Sequence, residues 1–158
     1  MAEVYLIQIL WNAQKKTLPG KYFHVEEDIE VPHRFFYIDQ RSKLGEHEGL
    51  EVDIYAGAGK EIWIAESKWW TDRKIGVKVV RHLLAQAEEV RRREEKTLQT
   101  LRVWLFAYHG VSKNARALMR EHGVLWSTRD DLNALLEIVN LRKLPVIERD
   151  ERDERELK

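Results

Sequence analysis

Asp53, Glu66 and Lys68 set two carboxylates and an ammonium on two short apolar runs, Leu50 to Ala56 and Ile62 to Trp70, separated by Gly57-Ala58-Gly59-Lys60. A hard divalent cation takes oxygen ligands and is commonly held by one or two carboxylates, with water and substrate phosphate completing its shell. Asp53, Glu66 and the carbonyl of Ser67 offer such a set to Mg²⁺ or Mn²⁺. Lys68 can orient or help deprotonate an attacking water and offset the negative charge that develops in the transition state. Phosphodiester hydrolysis is the reaction these residue types suit.

The elements that must position them are legible around the trio. Both runs are rich in β-branched and aromatic residues and are bounded by turn formers, which predicts an antiparallel hairpin whose loop needs glycine for positive φ. Side chains alternate along a strand, so Ile62, Ile64, Glu66 and Lys68 share one face, and Trp63, Ala65, Ser67 and Trp69 the other. A face that begins apolar and ends in a carboxylate and an ammonium leaves the core and opens into a site. Asp53 reaches that opening from the partner strand.

Downstream, Ile75, Val79, Leu83, Ala87 and Val90 recur at helical period from Lys74 to about Lys96. The next apolar run, Leu101 to His109, is short enough for a buried strand, and strand, helix, strand implies a right-handed crossover to a parallel pair. Ser112 is placed to cap a helix through Glu121 or His122, with Gly123 to stop it. Val124 to Trp126 reads as a short strand. Thr128 and Asp131 stand at capping-box spacing before a last helix through about Asn140.

This sequence of elements and the Asp53, Glu66-Ser67-Lys68 pattern resemble the PD-(D/E)XK nuclease superfamily, with Mrr-type and archaeal Holliday-junction resolvase-like domains similar in order from Leu50 to Asn140. Val52 stands where the proline that names the motif would be. The resemblance implies an α/β fold with a restriction-endonuclease-like core, a central mixed β-sheet flanked by helices. It maps the metal carboxylates onto Asp53 and Glu66 and the lysine onto Lys68. It also implies Glu3, the acidic residue of the first helix, as an extra metal or water ligand, and Gln86 as a residue assisting the site, although Val90 replaces the tyrosine that follows it in some branches. The triplet itself is a common string in a chain with 34% charged residues, and a second copy occurs at Glu94-Glu95-Lys96. That copy lacks a paired acidic strand and reads as a solvated helix face.

Formal net charge is zero, which argues against a general nucleic-acid coat protein, while a nuclease needs only a local basic stripe. Lys74, Lys78 and Arg81, with His82, supply one at helical spacing after the site. Trp69 and Trp70 follow Lys68, and alternation leaves at most one of them, here Trp69, facing a groove where it could stack on a base. The six histidines show no HxH or HExxH spacing, so a histidine zinc site is not expected. Neither GxxxxGK[ST] nor GxGxxG occurs, so a nucleotide-driven motor would lie on another chain or domain.

Upstream, Val4, Ile7, Leu10 and Trp11 form the stripe of a helix from Glu3 to about Lys16, ended by Pro19-Gly20. Lys21 to Val31 and Phe35 to Asp39 then read as two strands. The polar segment Arg41 to Gly49 leads into the Asp53 strand as a loop. The length suits one core, and one domain is expected over residues 1–147, with 148–158 a charged tail. Cysteine is absent, which excludes disulfides and thiolate chemistry. Without a span-length apolar run or a leader pattern, a soluble cytoplasmic protein is expected. The functional expectation is a metal-dependent nuclease acting on nucleic acid, DNA foremost, with a second copy of the chain, as a homodimer, and an ATPase or other domain of a larger parent protein as the possible partners. The alternative is a catalytically silent nucleic-acid-binding or protein-interaction module of a larger defence, repair or ATPase-linked system.

Overall fold

A computed structural model describes residues 2–43 and 51–146. The expected charged tail and most of the loop from Arg41 to Gly49 lie outside those residues. A five-stranded sheet in the order β3-β4-β5-β6-β7 organises the chain, formed by Tyr37–Lys43, Glu51–Ala58, Glu61–Lys68, Thr100–Ala107 and Leu125–Ser127. The first three strands are antiparallel neighbours, and β5, β6 and β7 run parallel, so the sheet is mixed and flanked by helices on both faces.

The hairpin closes with Ala58 opposite Glu61, leaving Gly59-Lys60 as a two-residue loop with Gly59 at φ 73°. That positive φ is what glycine supplies at no steric cost. From β5 the chain crosses through α2, Val77–Arg93, into β6, which pairs with β5 over its whole length. α3, Lys113–His122, is capped by the Ser112 hydroxyl, which accepts the Ala115 N–H, and stopped by Gly123 at φ 66°. α4, Arg129–Ile138, opens with a complete capping box between Thr128 and Asp131.

Each face of the sheet carries its own apolar cluster. Trp63, Ala65, Trp104 and Phe106 pack under α1, Ala2–Asn12, and α4, whereas Ile62, Ile64, Val103 and Leu105 pack under α2 and α3. The alternation along β5 is thus the one its sequence predicts. A polar relay ties the first cluster together: Trp104 Nε1 donates to Ser127 Oγ, which donates to the Tyr22 carbonyl, joining β6, β7 and the 3-10 helix Gly20–Phe23.

Four expectations need correction. The helix expected from Lys74 begins only at Val77, because Gly76 is extended and Ile75 forms a bridge with Val111, and it ends at Arg93 rather than near Lys96. The first helix ends at Asn12, ahead of Lys15 at φ 69° and the short strand β1, Thr17–Leu18. Its buried face carries Leu6, Ile9 and Leu10, leaving Val4 and Trp11 exposed. The expected strand from Lys21 to Val31 is instead the 3-10 turn and a two-residue strand, β2 (Ile29–Glu30), pairing with β1. A Cβ at Gly20 would lie 2.2 Å from the Glu27 carbonyl oxygen, so the segment folds back on itself where a strand would extend.

Candidate active site

The β4–β5 ladder pairs as far as Ile54 opposite Ala65, and continuing its register sets Asp53 opposite Glu66. There the backbone bonds give way to side chains. The Asp53 N–H donates to Glu66 Oε1 at 3.1 Å, and the Ser67 N–H donates to Asp53 Oδ2 at 2.9 Å. Each carboxylate therefore holds the backbone of the other's strand, and the two are fixed side by side as the hairpin splays.

β3 departs from regular pairing at the same level. Gln40 is opposite Ile54 and Ser42 opposite Val52, with the intervening Arg41, facing the Asp53 position, unpaired and at φ 55°. The register does not slip across this point, so the distortion is local and inserts no extra residue, unlike a bulge. A non-glycine residue in this conformation carries strain that the surroundings must hold. Sequence reasoning placed Arg41 at the start of a loop, and nothing in its type or neighbours signals the distortion.

Glu66 is 7% exposed and faces α2. Gln86, fully buried on that helix, donates from Nε2 to Glu66 Oε1 at 3.2 Å and to the Glu51 carbonyl at 2.5 Å. Burial first, and then the Asp53 charge, push the Glu66 carboxyl up to about 7 in spite of these donors. The Gln86 Oε1 atom is buried without a hydrogen-bond partner among the described residues. A desolvated, repelling carboxylate pair next to an unpartnered carbonyl oxygen is an environment that a cation would relieve.

Glu3 comes to the same strand from the other side of the sheet. Its Oε2 accepts the Ser67 hydroxyl at 3.2 Å, and its Oε1 accepts from Arg41 at 3.5 Å. The structure links Glu3 to the pair through Ser67 and does not bring its carboxylate into one group with theirs: no three Asp, Glu, His or Cys side chains form a metal-holding cluster among the described residues. The two-carboxylate set nonetheless fits a hard cation that takes its remaining oxygens from water and phosphate.

Lys68 is half-buried at the end of β5, its Nζ 6.0 Å from the centre of the Trp70 ring, while the Arg73 guanidinium lies 4.2 Å from the same ring. Trp69 turns the other way and, half-buried, packs on Phe106 and Tyr108 at 5.6 and 5.3 Å, against the edge of the core. Lys78 and Arg81 are exposed on α2, and Lys74 is exposed just ahead of the helix rather than on it.

No protein-family model matches the chain, and no curated protein matches it. Two solved structures are similar to part of the chain. One is a protein of unknown function, AF1548, at 18% identity and a TM-score of 0.49, covering 61% of this chain and 50% of that one. The other is a repair endonuclease from Pyrococcus abyssi, at 15% identity and a TM-score of 0.45, covering 60% of this chain and 37% of that one. The chain thus matches half or less of the length of either.

Proposed function

We propose that the chain is a metal-dependent nuclease domain of the PD-(D/E)XK kind, hydrolysing phosphodiester bonds of nucleic acid, DNA foremost. The observation that carries this reading is the reciprocal hold between Asp53 and Glu66, which keeps two carboxylates together at the splayed end of a hairpin with Glu66 poised near neutrality. A structural ion pair would match a carboxylate with a cation. This arrangement matches it with another carboxylate and keeps the repulsion.

Asp53, Glu66 and the Ser67 carbonyl would hold Mg²⁺ or Mn²⁺. The bound ion would supply positive charge to the phosphoryl oxygens and make a nearby water more acidic. Lys68 follows Glu66 by two residues, on the same strand face, where its ammonium orients the water and offsets charge on the phosphate. Gln86 fixes the Glu66 carboxylate from the helix side. Lys78 and Arg81, exposed on that helix, and Lys74 before it, meet flanking phosphates.

The test is a cleavage assay on linear, nicked, branched and single-stranded DNA, with RNA beside them, in Mg²⁺ and in Mn²⁺. Cleavage that disappears in chelator and in Asp53→Ala is expected. Binding without cleavage under every metal would replace this reading with a nucleic-acid-binding module.

A further inference from the structure

A second feature lies on the other side of β6. β5 pairs with all of β6, but β7 meets it only from Trp104 to Phe106, leaving the flank of β6 nearer its start open. A cleft of about 770 Å³ occupies this place, between residues 24–29 on one hand and β6, α3 and β7 on the other. That volume is in the range of small-molecule sites. Asp53, Glu66 and Lys68 are not among its lining residues.

Three arginines line it. Arg102 comes from β6, and Arg116 and Arg120 from α3. None forms an ion pair among the described residues. Arg102 Nε is buried and has no hydrogen-bond partner among the described residues, a costly state for a charged donor. Arg116 is held in advance, its guanidinium 5.3 Å from the centre of the Trp126 ring. Trp126 is itself fixed by the His24 ring, stacked at 3.4 Å and 6°, and His24 is anchored by Asp131 at 2.8 Å. Guanidinium groups kept unpaired and pre-positioned are suited to the oxygens of a phosphate.

The facing segment narrows the ligand. Glu26 and Glu27 are exposed and make no ion pair among the described residues, and Asp28 accepts the Gly20 N–H. Carboxylates repel a bare polyanion, but they accept hydrogen bonds from the hydroxyls of a sugar or the amino groups of a base. We propose that this cleft binds the phosphate of a nucleotide, with the arginines on the phosphate and the acidic segment toward sugar or base. The nucleotide is either free or one unit of a strand, and the phosphate chemistry is common to both.

Calorimetry and thermal unfolding in chelator, so that no strand is cut, test it. The probes are inorganic phosphate, AMP and a short single-stranded oligonucleotide, each against chloride at equal ionic strength. Saturable binding is expected in wild type and in Asp53→Ala, weakened at least tenfold in Arg116→Ala/Arg120→Ala, whose two positions are exposed and leave the core intact. AMP binding more tightly than phosphate identifies a free nucleotide, and binding of the oligonucleotide without AMP identifies a strand; both uphold the site. No saturable response to any probe, or an unchanged response in the double variant, overturns it.

Discussion

The Ser67 N–H binds Asp53 Oδ2 at 2.9 Å while the Asp53 N–H binds Glu66 Oε1 at 3.1 Å, so two carboxylates replace the backbone carbonyls of a β-ladder at the point where it opens. The same atoms that finish the hairpin create the electrostatic tension of the site. In the proposed nuclease, stability and chemistry would therefore be coupled at this pair, and changing either residue should move both.

Glu66 gives a pH signature. Its folded pKa of about 7 lies above the ordinary 4.5, so the folded chain holds this proton more tightly than the unfolded one. The stabilisation is complete below pH 4.5 and is lost as pH rises through 7, amounting to roughly 2–4 kcal/mol for a shift of this size. Glu66→Gln should flatten this slope, make the protein more stable than wild type at pH 8, and abolish hydrolysis. Urea unfolding between pH 5 and 8 checks the first two, and an unchanged slope would remove Glu66 as its source.

Millimolar Mn²⁺ should raise the melting temperature of wild type, because a ligand that binds only the native state stabilises it by mass action. The rise should be large at pH 8 and small at pH 5.5, where the ion must displace the Glu66 proton. Asp53→Ala should melt at one temperature with and without metal. Equal shifts in wild type and variant would place the ion elsewhere.

Lys68→Ala separates chemistry from metal binding. Turnover should fall by about 10²-fold or more if the ammonium offsets transition-state charge. The Mn²⁺-induced rise in melting temperature should persist. Loss of that rise together with turnover would make Lys68 a prop for the carboxylates.

Gln86→Leu removes the donor to both Glu66 and the Glu51 carbonyl. The unmet acceptors should cost about 1–3 kcal/mol. Gln86 favours the charged carboxylate, so its loss should move the Glu66 pKa further up and destabilise the protein more at pH 8 than at pH 5. Paired denaturation curves at the two pH values test the difference.

Much of the core was legible because local rules agreed with the tertiary result. The glycine turn, the alternation of β5, the crossover, Ser112, Gly123 and the Thr128–Asp131 box all took their expected places. Ile75 misled because its spacing to Val79 and Leu83 fits a helix, while its actual partner, Val111, is distant in sequence. Residues 21–31 misled for a similar reason: close packing at Gly20 and the Asp28 carboxylate on the Gly20 N–H decide that fold, and neither leaves a periodic trace. In the site, strand alternation put Glu66 and Lys68 on one face with Asp53 within reach on the partner strand, while the direct opposition of Asp53 and Glu66 follows from the hairpin register. The strained backbone of Arg41 and the unpartnered oxygen of Gln86 depend on three-dimensional fit alone.

The relay from Trp104 through Ser127 to Tyr22 also sets an order of events during synthesis. Ser127 and the Tyr22 carbonyl it holds are 105 residues apart. Chains emerge from the ribosome at about 5–20 residues per second, so roughly 5–20 seconds separate the appearance of the two partners. For that interval Leu6, Ile9, Leu10 and Phe23 have no completed sheet to cover, and the nascent chain presents them to whatever is nearby. Slow translation between β2 and α4, whose Leu132, Leu135 and Leu136 complete the cluster, should therefore increase chaperone capture or aggregation of this protein, whereas a delay after α4 should have little effect.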